Sequence, residues 1–257
     1  MKILVIGDIV GEGALSYLGS KLPQKRREIG ADLVIANGEN VCDIHGISPR
    51  AAEALFDAGV DFITTGNHVF DRRDVHGLLN DSRRIVRPCN YPAECPGEGS
   101  FVVTSGEGWR VLVVNVSGSV FMDAMGDPFR AVEGELLRRA RSYDLAVLDV
   151  HAEATSEKLA LARYFDGRFA VIFGTHTHVP TADEQVLPNG TGYITDVGMV
   201  GPVCSILGVT PDDVIGRMRT HMPHRFTVAS GEISADAAVF DVDPVTAKTR
   251  TVRRVKF

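Results

Sequence analysis

Five apolar runs in this chain each end in a short polar segment that contains a carboxylate, an amide or an imidazole. In chain order these polar residues are Asp8, Glu39 with Asn40, Asn67 with His68, His151, and His176 with His178. In open α/β sheets, ligands bind outside the carboxyl ends of the strands. The pattern therefore predicts that these side chains meet along one rim of the fold.

The apolar runs alternate with helical stretches and glycine-rich turns, which is typical of an α/β fold. Predicted helices are Leu15–Glu28, Ser48–Ala58, Asp71–Leu79, Glu133–Arg141, Ser156–Phe165 and Pro211–His221, with Pro23 interrupting or kinking the first. Predicted strands are Lys2–Ile6, Leu33–Ala36, Phe62–Thr64, Phe101–Thr104, Val111–Val116, Leu145–Val150, Phe169–Phe173, Tyr193–Thr195, Ala237–Val242 and Thr249–Val255. The added hairpin strands favour two sheets packed face to face with helices outside. Without a repeat or linker, we predict a single domain over residues 1–257.

Composition excludes several other classes of protein. The net charge of -6 argues against a broad basic surface for long nucleic acid. No apolar run approaches the roughly 20 residues that a membrane span needs, and the first run ends in Gly7-Asp8 rather than a signal-peptide cleavage site. The four cysteines form no C-x-x-C pair, which favours reduced thiols. We therefore expect a cytoplasmic protein.

The oxygen and nitrogen ligand types suit zinc, manganese or iron. Each residue alone has a simpler interpretation: Asp8 as a turn former and His151 as a hydrogen-bonded core residue. His176-x-His178 indicates metal binding more strongly, because alternation along an extended segment would bury one imidazole without a partner.

The same segments resemble the calcineurin-like metallophosphoesterase superfamily, and more closely its bacterial YmdB-type branch. The similarity covers nearly the whole chain. Its motifs are Gly-Asp-Ile-Val-Gly at 7–11, Asn-Gly-Glu-Asn at 37–40, Gly-Asn-His at 66–68, His-Ala-Glu-Ala-Thr-Ser-Glu-Lys at 151–158, Gly-Thr-His-Thr-His-Val at 174–179 and Ile-Thr-Asp-Val-Gly-Met at 194–199.

The resemblance implies a two-sheet αββα sandwich with a dinuclear centre of divalent or trivalent transition metals, iron or manganese first and zinc as an alternative. It implies that Asp8 and His178 bind the first metal, that Asn67, His151 and His176 bind the second, and that Glu39 bridges both. The superfamily has a histidine where this chain has Val10. We expect Asn40 to supply the missing ligand; alternatively, it is a turn residue that caps its own backbone.

Two cations roughly 3.5–4 Å apart can hold a bridging hydroxide for attack on a phosphate ester. By resemblance, His68 faces the leaving group, and we predict that it is the general acid, with support from a carboxylate or the substrate phosphate; alternatives are electrostatic stabilisation or a structural bond to backbone. The expected substrates are small nucleotide phosphodiesters, 2′,3′-cyclic nucleotides first. Neither long nucleic acid nor membrane is an expected partner, and the oligomeric state stays open.

Two other functions share parts of this pattern. An amidohydrolase-type barrel also uses His-x-His, but normally after its first strand. A regulatory binding protein with a structural or vestigial metal site would show an exposed apolar patch.

Several further residues are less certain: Glu153 orients a ligand or forms a surface ion pair, His45 lines the pocket, His221 and His224 are solvated, and Ser117–Phe129 covers the site or is a surface loop.

Overall fold

The computed structural model describes residues 1–123 and 125–257, and its strands form two sheets. The first sheet contains β1 (Lys2–Ile6), β2 (Asp8–Ile9), β3 (Leu33–Asn37), β4 (Phe62–Thr64), β11 (Met199–Pro202), β12 (Ile233–Asp243) and β13 (Lys248–Lys256). These seven strands lie in the order β2-β11-β12-β1-β3-β4, with β13 paired to β12. β1, β3 and β4 are mutually parallel, and β12 runs antiparallel to β1.

The second sheet contains β5 (Ser100–Thr104), β6 (Arg110–Ser117), β7 (Leu145–His151), β8 (Val171–Thr175), β9 (Gln185–Val186) and β10 (Gly192–Ile194). These six strands lie in the order β5-β6-β7-β8-β10-β9. The predicted hairpin of β5 and β6 is present as an antiparallel pair, and β6, β7 and β8 are parallel.

Side-chain alternation along the strands builds three apolar layers. Ile3 and Val5 of β1 pack between the sheets against residues such as Val113 and Val147. Their neighbours in β1 face the other way, into a core shared with the helices α1 (Gly11–Ile29), α2 (Pro49–Asp57) and α3 (Val75–Asp81). The outer face of the second sheet is covered by α4 (Pro128–Arg138) and α5 (Thr155–Tyr164). The predicted αββα sandwich is therefore confirmed.

Several predicted helix bounds were wrong, for local reasons. α1 begins at Gly11 and continues through Pro23. α3 begins at Val75 rather than Asp71, because residues 71–74 form turns and the Asp71 carboxylate bonds to His68. α4 begins at Pro128, five residues earlier than predicted, because the Asp127 side chain accepts hydrogen bonds from two backbone N–H groups of the first turn.

The remaining helix, α6 (Pro211–Thr220), follows the prediction to within a residue. The sequence prediction missed the two-residue strands β2 and β9 and the short strand β11. β2 pairs with β11, and this pairing places Asp8 opposite Met199. Among the described residues, no helix is long and apolar enough to cross a membrane.

Candidate metal centre

The structure brings all seven predicted ligands to one rim of the sandwich. Asp8 begins β2, Glu39 and Asn40 lie in the turn after β3, and Asn67 follows β4. His151 is the last residue of β7, and His176 and His178 follow β8. Because the two sheets are packed face to face, ligands from both meet where their parallel strands end. This is the arrangement that the sequence predicted from the strand ends.

The Nε2 atom of His151 is the meeting point of one group of ligands. It lies 2.9 Å from Oε1 of Glu39, 3.0 Å from Oδ1 of Asn67 and 3.1 Å from Nδ1 of His176. A single proton on Nε2 can satisfy only one of these three atoms. A cation among them would be bound by all four, so the donor set fits a metal ion.

The hydrogen bond at the other ring nitrogen of His151 determines which of the two nitrogens carries the proton. Nδ1 lies 2.9 Å from the Thr175 hydroxyl, and that hydroxyl donates to Asp149 over 2.7 Å. The Thr175 oxygen therefore accepts from Nδ1–H, and the Nε2 lone pair of neutral His151 faces the ligand group. Hydrogen bonds of this kind orient metal-binding histidines in proteins.

Charge and burial act strongly on these groups. Burial opposes the charged form of His151, but the Glu39 carboxylate outweighs it and raises the His151 pKa to about 9. Burial also lowers the pKa of His176 to about 3, with the His151 charge acting in the same direction. Burial raises the pKa of Asp149 to about 7.

A second group of ligands surrounds Asp8. Its Oδ1 atom is buried without a hydrogen-bond partner among the described residues and lies 3.8 Å from Nε2 of His178. Burial raises the Asp8 pKa. An unsatisfied buried carboxylate oxygen is costly, and a cation shared with His178 would satisfy it. The donor types around Asp8 therefore also suit a cation.

Asn40 lies beside this second group. Its Nδ2 atom is 3.3 Å from Nε2 of His178, and within the described residues its side chain caps no backbone group. That geometry differs from the turn interpretation. Val10, at the position of the superfamily histidine, is buried and lines the same cleft without a ligating atom.

The backbone carrying His176 and His178 is not extended, which corrects the alternation argument. The φ angles of these histidines are 96° and 62°, a left-handed conformation that is unusual for residues other than glycine. Both imidazoles reach the same site because of these two turns. Asp8 Oδ2 accepts the His176 backbone N–H over 3.0 Å. The His178 ring is held through Nδ1, 3.1 Å from the Leu207 carbonyl.

A buried ion pair supports this turn and was missed by the sequence reasoning. Nζ of Lys158, in α5, donates over 2.7 Å both to Oδ2 of Asp196 and to the Thr175 carbonyl. The same Asp196 oxygen accepts the backbone N–H and hydroxyl of Thr177. The sequence contained a signal for this ion pair, because Lys158 is a charged residue at an apolar position of its helix. It lies three, four and seven residues before Leu161, Ala162 and Phe165, on the same face.

Residue 66, before Asn67, is glycine because the backbone there passes close to the side chains of two predicted ligands. A Cβ atom at Gly66 would overlap the His151 ring and the Glu39 carboxylate. Only glycine lets the turn after β4 pass so near the other ligands.

His68 lies at the edge of a cleft of about 300 Å³ that is also lined by Glu39, His176 and His178. Its backbone N–H donates to Glu39 Oε2 over 3.0 Å, and its Nδ1 is 2.8 Å from Oδ2 of Asp71. The His45 ring lies against it with a centroid separation of 3.9 Å. Asp71 was not predicted as part of the site.

The structure also places the residues whose roles the sequence left open. Oε2 of Glu153 lies 3.2 Å from Nε2 of His176, so it contacts a ligand. His45 lines the cleft, and His221 and His224 are exposed. In the Ser117–Phe129 stretch, where Ala124 lies outside the described residues, the start is held to α5 by Glu157, whose carboxylate accepts hydrogen bonds from the backbone N–H groups of Ser119 and Val120.

Comparison with known proteins identifies the family. A profile of the YmdB-like protein family matches residues 4–255. The chain belongs to the YmdB-like family. The 2′,3′-cyclic-nucleotide 2′-phosphodiesterase of Bacillus subtilis (strain 168) is 39% identical to it over 255 residues, which cover 99% of this chain and 96% of the Bacillus protein.

Solved structures of two relatives agree with this assignment to the YmdB-like family. A hypothetical protein from Thermus thermophilus has a TM-score of 0.93 and 41% identity, covering 100% of this chain and 99% of its own. A novel phosphatase from Mycoplasma pneumoniae has a TM-score of 0.93 and 34% identity, covering 100% and 93%. The predicted phosphoesterase class of enzyme is confirmed. Ligand atoms of Glu39, His151 and His176 lie within 4.8 Å of one another, so these residues could hold a metal.

Proposed function

We propose that this YmdB-like protein is a dinuclear-metal phosphodiesterase that hydrolyses small nucleotide phosphodiesters, with 2′,3′-cyclic nucleotides as the first choice. One observation carries the proposal: Glu39 Oε1, Asn67 Oδ1 and His176 Nδ1 lie 2.9–3.1 Å from His151 Nε2. The similar Bacillus subtilis phosphodiesterase supports the choice of substrate.

The residues divide into two metal sets that share one member. His151, His176 and Asn67 would hold one metal, Asp8, His178 and Asn40 the other, and Glu39 would bridge them. When bound, such a pair of iron, manganese or zinc ions activates water as a nucleophile and neutralises charge on the phosphoryl group. His151 is oriented for this role by Thr175, and His176 by Glu153 on its other nitrogen.

His68 would donate the proton that the leaving alkoxide of the substrate requires. It lines the same cleft as the ligands but is not among them. The Asp71 carboxylate, 2.8 Å from its Nδ1, orients the ring and would leave Nε2 to face the leaving group.

The test replaces His68 with alanine and compares leaving groups. A positioned general acid contributes about 10²–10⁴-fold, so we expect a loss of that order in kcat on a 2′,3′-cyclic nucleotide. The loss on a nitrophenyl phosphodiester should be much smaller, because nitrophenolate leaves without a proton. Metal content is measured by elemental analysis in both proteins and should be unchanged.

Three outcomes would argue otherwise. Equal losses on both substrates with intact metals would leave electrostatic stabilisation as the role of His68, and no loss would make it structural. Failure of the unmodified protein to turn over a bis-aryl phosphodiester, with or without added Mn²⁺, would favour the alternative of a regulatory binding protein.

A further inference from the structure

A second, larger cavity lies beside the cleft of the predicted ligands. The cleft has a volume of about 300 Å³ and the outer cavity about 840 Å³. Ile44, His45 and Phe226 line both of them. A phosphodiester held among the predicted ligands would therefore have its remaining atoms near these three residues, which border the outer cavity as well. The cleft alone is at the small end of ligand pockets, which span about 300–1,000 Å³.

Phe226 stands at the junction of the two cavities. It lies in the segment between α6 and β12, is half-buried, and belongs to none of the three apolar cores of the described residues. The Arg217 guanidinium lies 5.2 Å from its ring centroid. Because Phe226 lines both cavities as well as contacting Arg217, part of its ring surface faces space that a ligand can enter. Aromatic side chains commonly stack on nucleobases.

The charges of the outer cavity favour a neutral ligand group. Arg72 and Arg225 line it together with Asp43 and Asp71, so positive and negative side chains are equal in number. Arg72 is moreover bonded to Asp74 over 3.0 Å, and Asp71 to His68 over 2.8 Å. A surface that follows a nucleic-acid backbone would be basic. This cavity instead suits the uncharged base of a single nucleotide.

We infer that the outer cavity binds the nucleobase of the substrate and that Phe226 is the surface on which the base stacks. The inference rests on the proposed function, because it assumes that the phosphate of the same molecule lies at the metal ligands. Stacking accepts every base, since each has a π-face. The enzyme should therefore hydrolyse cyclic nucleotides of different bases with similar kcat/KM.

The experiment measures discrimination between two substrates that differ only in the base. They are adenosine 2′,3′-cyclic phosphate and 1-O-methylribose 2′,3′-cyclic phosphate, assayed with the metal-loaded full chain. Phe226→Leu keeps an apolar side chain to anchor the loop but removes the stacking surface. Phe226→Leu should lower the kcat/KM for the adenosine substrate, relative to that for the methylribose substrate, about tenfold, mainly by raising KM for the adenosine substrate. Phe226→Trp should leave this ratio unchanged.

Phe56→Leu is the matched control. Phe56 also has an arginine over its ring, with Arg84 at 3.8 Å, but it lines neither cavity. Its replacement should leave the ratio at the unmodified value. If Phe226→Leu slows both substrates equally, Phe226 only anchors the loop and the inference is wrong.

A binding measurement separates this inference from the proposed activity. Calorimetry with adenosine 3′-phosphate needs no turnover, so it reports on the base site even in a protein that proves inactive. Binding should weaken about tenfold in Phe226→Leu and not in Phe226→Trp. Equal affinity in the unmodified protein and Phe226→Leu would overturn the base site, whatever the fate of the phosphodiesterase proposal.

Discussion

Replacing Lys158 with methionine should destabilise the protein strongly although Lys158 is not among the proposed metal ligands. The side chains of Lys158 and Asp196 are 1% and 0% exposed and their charged atoms are 2.7 Å apart. Methionine retains most of the apolar stem, so the change removes mainly the ammonium group. Asp196 would then be a buried carboxylate without a cation beside it.

The expected magnitude follows from that unpaired charge. Removing one partner of a buried pair typically costs about 3–5 kcal/mol in the free energy of unfolding. The Asp196 carboxylate keeps the hydrogen bonds from Thr177 and Gly198, which favours the lower end of that range. In a protein of this size the melting temperature should fall by roughly 10 °C.

The assay is urea unfolding of protein stripped of metal with a chelator, because a bound ion would add its own stabilisation. Lys158→Met, Asp196→Asn and the double variant form a mutant cycle. We expect the double variant to lose less than the sum of the two single losses by more than about 1 kcal/mol. Lys25→Met is the control, since it breaks an ion pair with the solvent-exposed Glu28 and should cost far less stability than Lys158→Met.

Two results would refute this reasoning. A loss below about 1 kcal/mol in Lys158→Met, the level of an exposed pair, would mean that the interior tolerates the unpaired carboxylate. Strict additivity in the cycle would mean that Lys158 and Asp196 do not stabilise each other.

Two further predictions concern the proposed ligands. The unmodified protein should contain close to two transition-metal ions per chain by elemental analysis and Glu39→Ala should lose most of both, because a bridging carboxylate belongs to both sites; one tightly bound metal unaffected by the change would contradict the bridge. Asn40→Ala should weaken metal affinity in a titration, while the melting temperature of the chelator-stripped protein stays nearly constant. A turn-capping role would instead leave metal content intact and cost about 0.5–2 kcal/mol of stability.

The fold class was predictable because it depends on local patterns. The β-branched runs at residues 2–6, 33–36 and 145–150 form strands largely where predicted, since alternation and length are properties of the segment itself. The bounds of α3 and α4 were less predictable. They depend on where the Asp71 and Asp127 side chains find partners, and a carboxylate near a helix start is compatible with more than one choice.

The sequence by itself determined which residues meet. Asp8, Glu39, Asn67 and His151 each follow an apolar run, and parallel strands must place their carboxyl ends along one rim. Their placement along one rim was therefore predictable, whereas their mutual order in space depends on the strand order and on how the two sheets pack.

Only the tertiary structure decided how these residues are held. The left-handed turns at His176 and His178, the pairing of Lys158 with Asp196 and the contact of Asp71 with His68 join segments through side chains whose partners are not specified by local periodicity. The junction at Phe226 likewise exists only because the segment before β12 folds back over the metal cleft. Such contacts form when distant elements pack. Their energy depends on residues from several segments, so the pattern of a single segment cannot predict them.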